Sequence, residues 1–172
     1  MNLILYQRIF ALCLWASVVS NTQAQDLIRQ QPCDTQPYQA QIDSIKQLFQ
    51  SRGFIVLHEA SMTMVSQYEM PIVVPMSQGA EYEFVFIGDP SSKLYEVRMY
   101  DWDERQVVYQ KKHWGDVEGN IISYAYVPQA SEYHMIKPVQ VNNRKKNLCG
   151  YVLLLKRVIL NCSSNAPAVR SR

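Results

Sequence analysis

This sequence is short of long apolar runs, and a helix that crosses a bilayer needs ~20 apolar residues. The longest run, Ile9 to Val19, is bounded by Tyr6, Gln7 and Arg8 on one side and by Asn21 to Gln23 on the other. A charge excess is missing too. With 17 Lys and Arg against 15 Asp and Glu, the chain offers no strongly basic face to neutralise phosphates, which excludes a nucleic-acid binder. There is no Gly-x-Ser-x-Gly elbow, so the ordinary serine-hydrolase arrangement is absent. His58, His113 and His134 are far apart, and none has a second His or Cys three or four residues away, so no zinc site is encoded locally. Gly88-Asp89-Pro90-Ser91-Ser92-Lys93 lacks the glycine spacing and following helix of a phosphate loop and reads as a turn. Internal repeats and low-complexity segments are also wanting.

What the chain does have begins with its first 24 residues. A short opening with Arg8, the apolar run Ile9 to Val19 and the small or polar stretch Ser20-Asn21-Thr22-Gln23-Ala24 are the three parts of a secretory signal. The same residues left uncleaved would form an anchor, the alternative to cleavage after Ala24. Cys13 has no small residue just before it, so no lipid anchor is expected. Cleavage leaves 148 of the 172 residues, enough for one domain with its own core. Loss of Arg8 leaves 16 basic against 15 acidic residues, a nearly neutral mature chain.

Three cysteines survive: Cys33, Cys149 and Cys162. An exported chain favours one bridge and leaves one thiol over. If residues 148–161 form one straight strand, Cys149 and Cys162 stand ~40 Å apart, far past the ~7 Å limit between bridged α-carbons. Cys33 is then a partner. Pairing with Cys162 is preferred because domain termini often lie close together, and pairing with Cys149 is the alternative.

Residues 25–36 form a polar lead-in. Ile42, Ile45, Leu48 and Phe49 then recur at spacings of three and four, with Asp34 or Thr35 to cap and Gly53 to stop, which predicts one amphipathic helix over about 37–52. After Gly53 the period becomes two. In Glu81-Tyr82-Glu83-Phe84-Val85-Phe86 the glutamates fall on one face and the aromatics on the other. Tyr95, Val97 and Met99 likewise oppose Glu96 and Arg98. Further strands are predicted at 54–60, 62–67, 70–76, 105–112, 120–127, 132–140 and 148–160, about nine in all, separated by turns. The run Tyr151 to Leu155 is apolar throughout, as a central strand covered on both faces requires. So many short antiparallel strands would leave a single sheet with an apolar face in water. The expected fold is therefore mainly β: an antiparallel two-sheet β-sandwich, jelly-roll-like, with one N-terminal amphipathic helix; a closed barrel is the alternative. The domain is expected to span 37–162, followed by a tail over 163–172.

Four pieces of the chain carry a family resemblance: Gly79-Ala80-Glu81-Tyr82-Glu83-Phe84, Val97-Arg98-Met99-Tyr100-Asp101, Gln106-Val107-Val108-Tyr109 and Glu132-Tyr133-His134-Met135-Ile136. Their layout resembles the pre-peptidase C-terminal type of β-sandwich, a jelly-roll module of exported bacterial proteins. Ser131-Glu132-Tyr133 lacks the glycine that pattern places before the tyrosine, and the leading helix is foreign to it. The resemblance implies a non-catalytic appendage.

Candidate chemistry is sparse. Asp101-Trp102-Asp103-Glu104 places three carboxylates within four residues, with Asp116 and Glu118 in a later loop. Clustered oxygens suit a structural calcium ion, held by Asp101, Asp103 and Glu104. A hairpin turn in which aspartate bonds its own backbone explains the same residues. Trp102, Trp114 and Tyr126 are the candidate ligand contacts, since exposed aromatics offer flat surfaces to sugars or peptides. His134 opposes Tyr133 and Met135 and is expected on the outer side of its strand. Asn142-Asn143-Arg144-Lys145-Lys146 is the densest basic stretch and reads as a solvated turn. Asn161-Cys162-Ser163 fits a glycosylation acceptor. The sequence thus implies a periplasmic or secreted, non-catalytic binding or interaction module of the bacterial envelope, with an envelope protein or a carbohydrate as partner. The alternatives are a structural subunit of an envelope assembly and an exported hydrolase drawing on Asp101, Asp103 and His113.

Overall fold

A computed structural model describes residues 31–158, the side chain and local structure of Glu118 excepted. The expected signal over 1–24, Cys162, Asn161 and the expected tail over 163–172 lie outside the described residues. The chain opens with a 3-10 turn, Gln36–Tyr38, which leads into helix α1, Gln39–Ser51. Asp34 accepts from the Gln36 N–H at 3.0 Å, and Gly53 leaves the helix with φ of 81°, a conformation glycine adopts without strain.

Eight strands follow: β1 Phe54–Val65, β2 Ile72–Met76, β3 Tyr82–Gly88, β4 Leu94–Tyr100, β5 Gln106–His113, β6 Ile121–Tyr126, β7 Glu132–Val141 and β8 Asn147–Arg157. They form two four-stranded antiparallel sheets ordered β1-β8-β3-β6 and β2-β7-β4-β5. Apart from the hairpin β4–β5, which stays in the second sheet, successive strands alternate between the sheets, so the architecture is a β-sandwich of jelly-roll type and not a barrel. Eight strands replace the expected nine because 54–60 and 62–67 are one. Ser61 pairs with Tyr151 in mid-ladder, and the irregularity falls earlier, as a bulge between Val56 and His58. A bulge re-aims side chains without ending the strand.

The core between the sheets takes Tyr82, Phe84, Phe86, Val152 and Leu154 from one side and Tyr95, Val97, Met99 and Ile136 from the other. Facing Phe86, Gly150 allows the close approach: a Cβ there would lie 2.7 Å from Met64 Sδ and 3.0 Å from the Phe86 ring. A second apolar layer lies on the outside of the first sheet. There Tyr38, Ile42 and Phe49 of the helical segment cover Phe54, Val85, Ile87, Tyr151, Leu153 and Leu155. Residues 151–155 of β8 are buried at every position because one set faces the sandwich and the other faces α1. The outer face of the second sheet has no such cover among the described residues.

The bridge joins Cys33 to Cys149, whose α-carbons are 5.6 Å apart, and so corrects the preferred pairing of Cys33 with Cys162. The lead-in runs back along β1 and β8: the Gln31 carbonyl accepts from Thr63 N–H at 2.7 Å, and Cys33 Sγ lies 3.3 Å from the Met62 carbonyl. It therefore meets β8 at its beginning and not at its end. No helix among the described residues is long and apolar enough to cross a membrane.

Candidate functional site

The alternation of β4 puts Tyr95, Val97 and Met99 into the core, which sends Glu96, Arg98 and Tyr100 to the uncovered face of the second sheet. The register brings partners to them from both sides. Arg98 stands across from Tyr109 of β5 and Lys137 of β7, and Tyr100 stands across from Met135. Met135 pairs in turn with Val73 of β2, and Tyr133 with Pro75. Directly paired residues share a face, so these side chains form one surface across four strands.

One half of that surface is a polar network. Arg98 ion-pairs with Glu96 and, at 3.2 Å, with Glu69 of the β1–β2 loop. Glu69 also takes Lys137 at 3.1 Å. The Tyr109 hydroxyl donates to Glu96 at 3.3 Å, and the Arg98 guanidinium lies 6.0 Å from the centre of the Tyr109 ring. The other half is aromatic and apolar: Tyr133 and Val73 are more than half exposed, Met135 is partly exposed, and Lys137 sits 5.0 Å from the centre of the Tyr100 ring. Flat rings thus lie beside fixed carboxylate and guanidinium groups, which suits a ligand with both an apolar face and hydroxyl edges.

The three aromatic candidates from the sequence do not come together. Trp102 stands in the β4–β5 turn, at the rim of this surface and next to its apolar half, and is 69 % exposed. Trp114 lies at the other end of β5, ~25 Å away along the strand. Tyr126 belongs to the first sheet and turns inward, its hydroxyl 3.2 Å from His134 Nε2. Burial raises the Tyr126 phenol, and the nearby Asp101 and Glu132 carboxylates raise it further.

His134 corrects the expectation of an outer position. It does oppose the exposed Tyr133 and Met135, but it is fully buried in the sandwich. The Tyr126 hydroxyl and Glu132, 3.6 Å away, give Nε2 polar company, while Nδ1 is buried with no hydrogen-bond partner among the described residues.

In the β4–β5 turn, Asp101 accepts from the backbone N–H and from Nε of Arg105, each at 2.9 Å, and Asp103 pairs with the same guanidinium at 3.2 Å. Partial burial works to raise the Asp101 carboxyl, but the Arg105 bonds outweigh it and hold the group below its ordinary value. The turn thus spends Asp101 and Asp103 on Arg105, and Glu104 occupies its positive-φ position at 60°. Among the described residues no three His, Cys, Asp or Glu side chains converge on a point that could hold a metal ion. His113 closes β5 at the opposite end from Asp101 and Asp103, so those three residues do not meet.

Sequence reasoning placed Glu96 and Arg98 on an outer face but did not reach Tyr109, Tyr133 or Glu69 as their neighbours. Alternation within β4 was the available signal. The pairing of β4 with β5 and β7 was not, because register is settled by the whole sheet.

No family model and no curated protein sequence matches the chain, and the pre-peptidase C-terminal resemblance gains no support from either. Some solved structures align with part of the chain. A CBM4 module aligns with a TM-score of 0.40 and 13 % identity over 61 % of this chain and 79 % of its own. The K3 cleaved adhesin domain of Lys-gingipain from Porphyromonas gingivalis w83 aligns at 0.39 and 10 %, over 56 % and 72 %. TmCBM61, solved in complex with β-1,4-galactotriose, aligns at 0.36 and 10 %, over 62 % and 83 %. At that level of similarity none of the three bears on what this chain binds.

Proposed function

We propose that this protein is an exported, non-catalytic binding module that takes a saccharide on the uncovered face of its second sheet. The observation that carries it is the juxtaposition of Tyr109 and Tyr133, about half exposed, with the Glu96, Arg98 and Glu69 network on one open surface. A sugar ring has an apolar face that stacks on an aromatic ring. Its hydroxyls bond well to paired carboxylate and guanidinium groups, whose charge-assisted bonds are the stronger kind. Trp102 extends the apolar half at the rim. Export is supported by the Cys33–Cys149 bridge, since disulfides persist in oxidising compartments.

The test is affinity electrophoresis of the protein through gels containing soluble β-glucan, galactan, xylan or galactomannan. One of these polymers is expected to retard the wild type, and the Tyr109→Ala/Tyr133→Ala variant is expected to lose about tenfold or more in affinity. Trp114→Ala, distant from this face, is expected to migrate as the wild type does. Failure of every glycan to retard the protein, or equal retardation of the double variant, overturns the proposal.

A further inference from the structure

One end of the sandwich gathers the loops β1–β2, β3–β4, β5–β6 and β7–β8, and hydrogen bonds lock them together. Ser66 N–H donates to the Lys146 carbonyl at 2.8 Å, Asn142 Nδ2 to the Ser91 carbonyl at 2.8 Å, Lys93 N–H to the Val141 carbonyl at 2.8 Å and Trp114 N–H to the Lys93 carbonyl at 2.9 Å. Beneath them Gln140, fully buried, accepts from Asp89 N–H at 2.8 Å and donates to the Cys149 carbonyl at 3.1 Å. The end is therefore a platform, about three strand spacings or ~14 Å wide from β2 to β5.

The platform carries Tyr68 in its β1–β2 loop, at one edge, and Trp114 and Val117 in its β5–β6 loop, at the other, and they are 69 %, 72 % and 87 % exposed. Beside them lie Lys93, Arg144 and Lys146, all exposed, and among the described residues no carboxylate comes within ion-pair distance of these three. Among the described residues, the acidic groups at this end already hold hydrogen bonds or ion pairs. Asp116 accepts from His113 N–H at 2.7 Å, Asp89 caps Ser91 at 2.8 Å, and Glu69 is held by Arg98 and Lys137.

We propose that this loop platform docks on an anionic phospholipid surface, with Tyr68, Trp114 and Val117 entering the headgroup region and Lys93, Arg144 and Lys146 meeting lipid phosphates. Tryptophan and tyrosine favour the interface because one part of the ring system is apolar and another polar, and cations beside them add attraction to negative lipid. A soluble polyanion would be met by the cations alone and gives no reason for three apolar tips in water. The β1–β2 loop gives Glu69 to the saccharide face and Tyr68 to the platform, yet none of the six residues assigned to lipid belongs to that face, so this docking stands or falls independently of that function.

Co-sedimentation of the full chain with vesicles tests it, using phosphatidylcholine alone against phosphatidylcholine mixed with phosphatidylglycerol. The wild type is expected to pellet with the mixed vesicles and to be released by salt. Arg144→Glu/Lys146→Glu is expected to weaken partition by about tenfold or more. Tyr68→Ser/Trp114→Ser is expected to weaken it as well, with the circular dichroism of both variants unchanged. The apolar run Ile9 to Val19, if retained, would bind vesicles irrespective of their charge and of these loops. Equal binding to both vesicle types, or wild-type binding by either variant, therefore overturns the proposal. So does retention on heparin that depends on Arg144 and Lys146 while vesicle binding is absent.

Discussion

Glu83 shows how far the surroundings of one residue can depart from its pattern. On alternation it belongs to the polar face of β3, and it does point away from the sandwich, yet it is only 9 % exposed because the helical layer lies over that face. Burial is the largest influence on its carboxyl and raises it above the ordinary value, while the bond from the Ser123 hydroxyl and the nearby Arg52 charge pull it back in part. A folded-state pKa above the unfolded one means that the native chain binds the proton more tightly. This residue's contribution to stability therefore falls as pH rises from the unfolded value through the folded one. Glu83→Gln is expected to raise the urea midpoint at neutral pH and to flatten the pH dependence just above the ordinary carboxylate range. Glu59 has the opposite sign: bonds from Lys46 and Tyr151 lower its pKa. Its stabilisation is present above the unfolded value and is lost as pH falls through the folded one, so Glu59→Gln should lower the neutral-pH midpoint. Urea titrations of both variants across this range check the two signs, and midpoints that move together would contradict them. His134 makes the complementary point. Its side relative to Tyr133 and Met135 was legible, but counting histidine as polar put it outside, and the Tyr126 hydroxyl that meets its Nε2 inside the sandwich comes from the other sheet.

At the scale of elements, α1 owes its place to tertiary packing. Neither Thr35 nor Tyr38 caps it with a side-chain bond, and 13 residues are marginal for an isolated helix in water. Its stripe of Ile42, Ile45, Leu48 and Phe49 was visible in the sequence, but the residues are not equivalent: Ile42 is 1 % exposed against the first sheet and Leu48 is 44 % exposed. Ile42→Ala is expected to cost ~2–4 kcal/mol, the loss typical of a buried aliphatic with its cavity. Leu48→Ala should cost less than about 1 kcal/mol, as at an exposed position. Equilibrium denaturation of the two variants measures the difference, and similar losses would place the helix on a different face. In β1, Ser61 looked like a break between two short strands. A polar residue interrupts a pattern without interrupting a ladder, because the ladder is made by the backbone.

For the whole molecule, the Cys33–Cys149 bridge ties the polar lead-in to a central strand across 116 residues of sequence. Closing so long a loop removes much freedom from the unfolded chain, which sets an expected stabilisation of ~2–5 kcal/mol. Cys33→Ser/Cys149→Ser should lose about that much in denaturant unfolding and keep its β-sheet spectrum, since both hydrophobic layers remain. An unchanged midpoint would mean that the bridge does not form in the native chain.

The amphipathic helix, the two-residue rhythm after Gly53 and the apolar run in β8 were written in the sequence, and they sufficed for a two-sheet sandwich with a covered central strand. Side-chain alternation is a local property of an extended backbone, so it can be read along the chain. Which strands neighbour one another could not be read that way. Tertiary structure alone decided that Tyr109, Tyr133, Arg98 and Glu69 share one open face, that Trp102 and Trp114 part company, and that Cys33 meets Cys149. Each of these depends on sheet order and register, which are settled by burying both apolar layers at once rather than by any single segment.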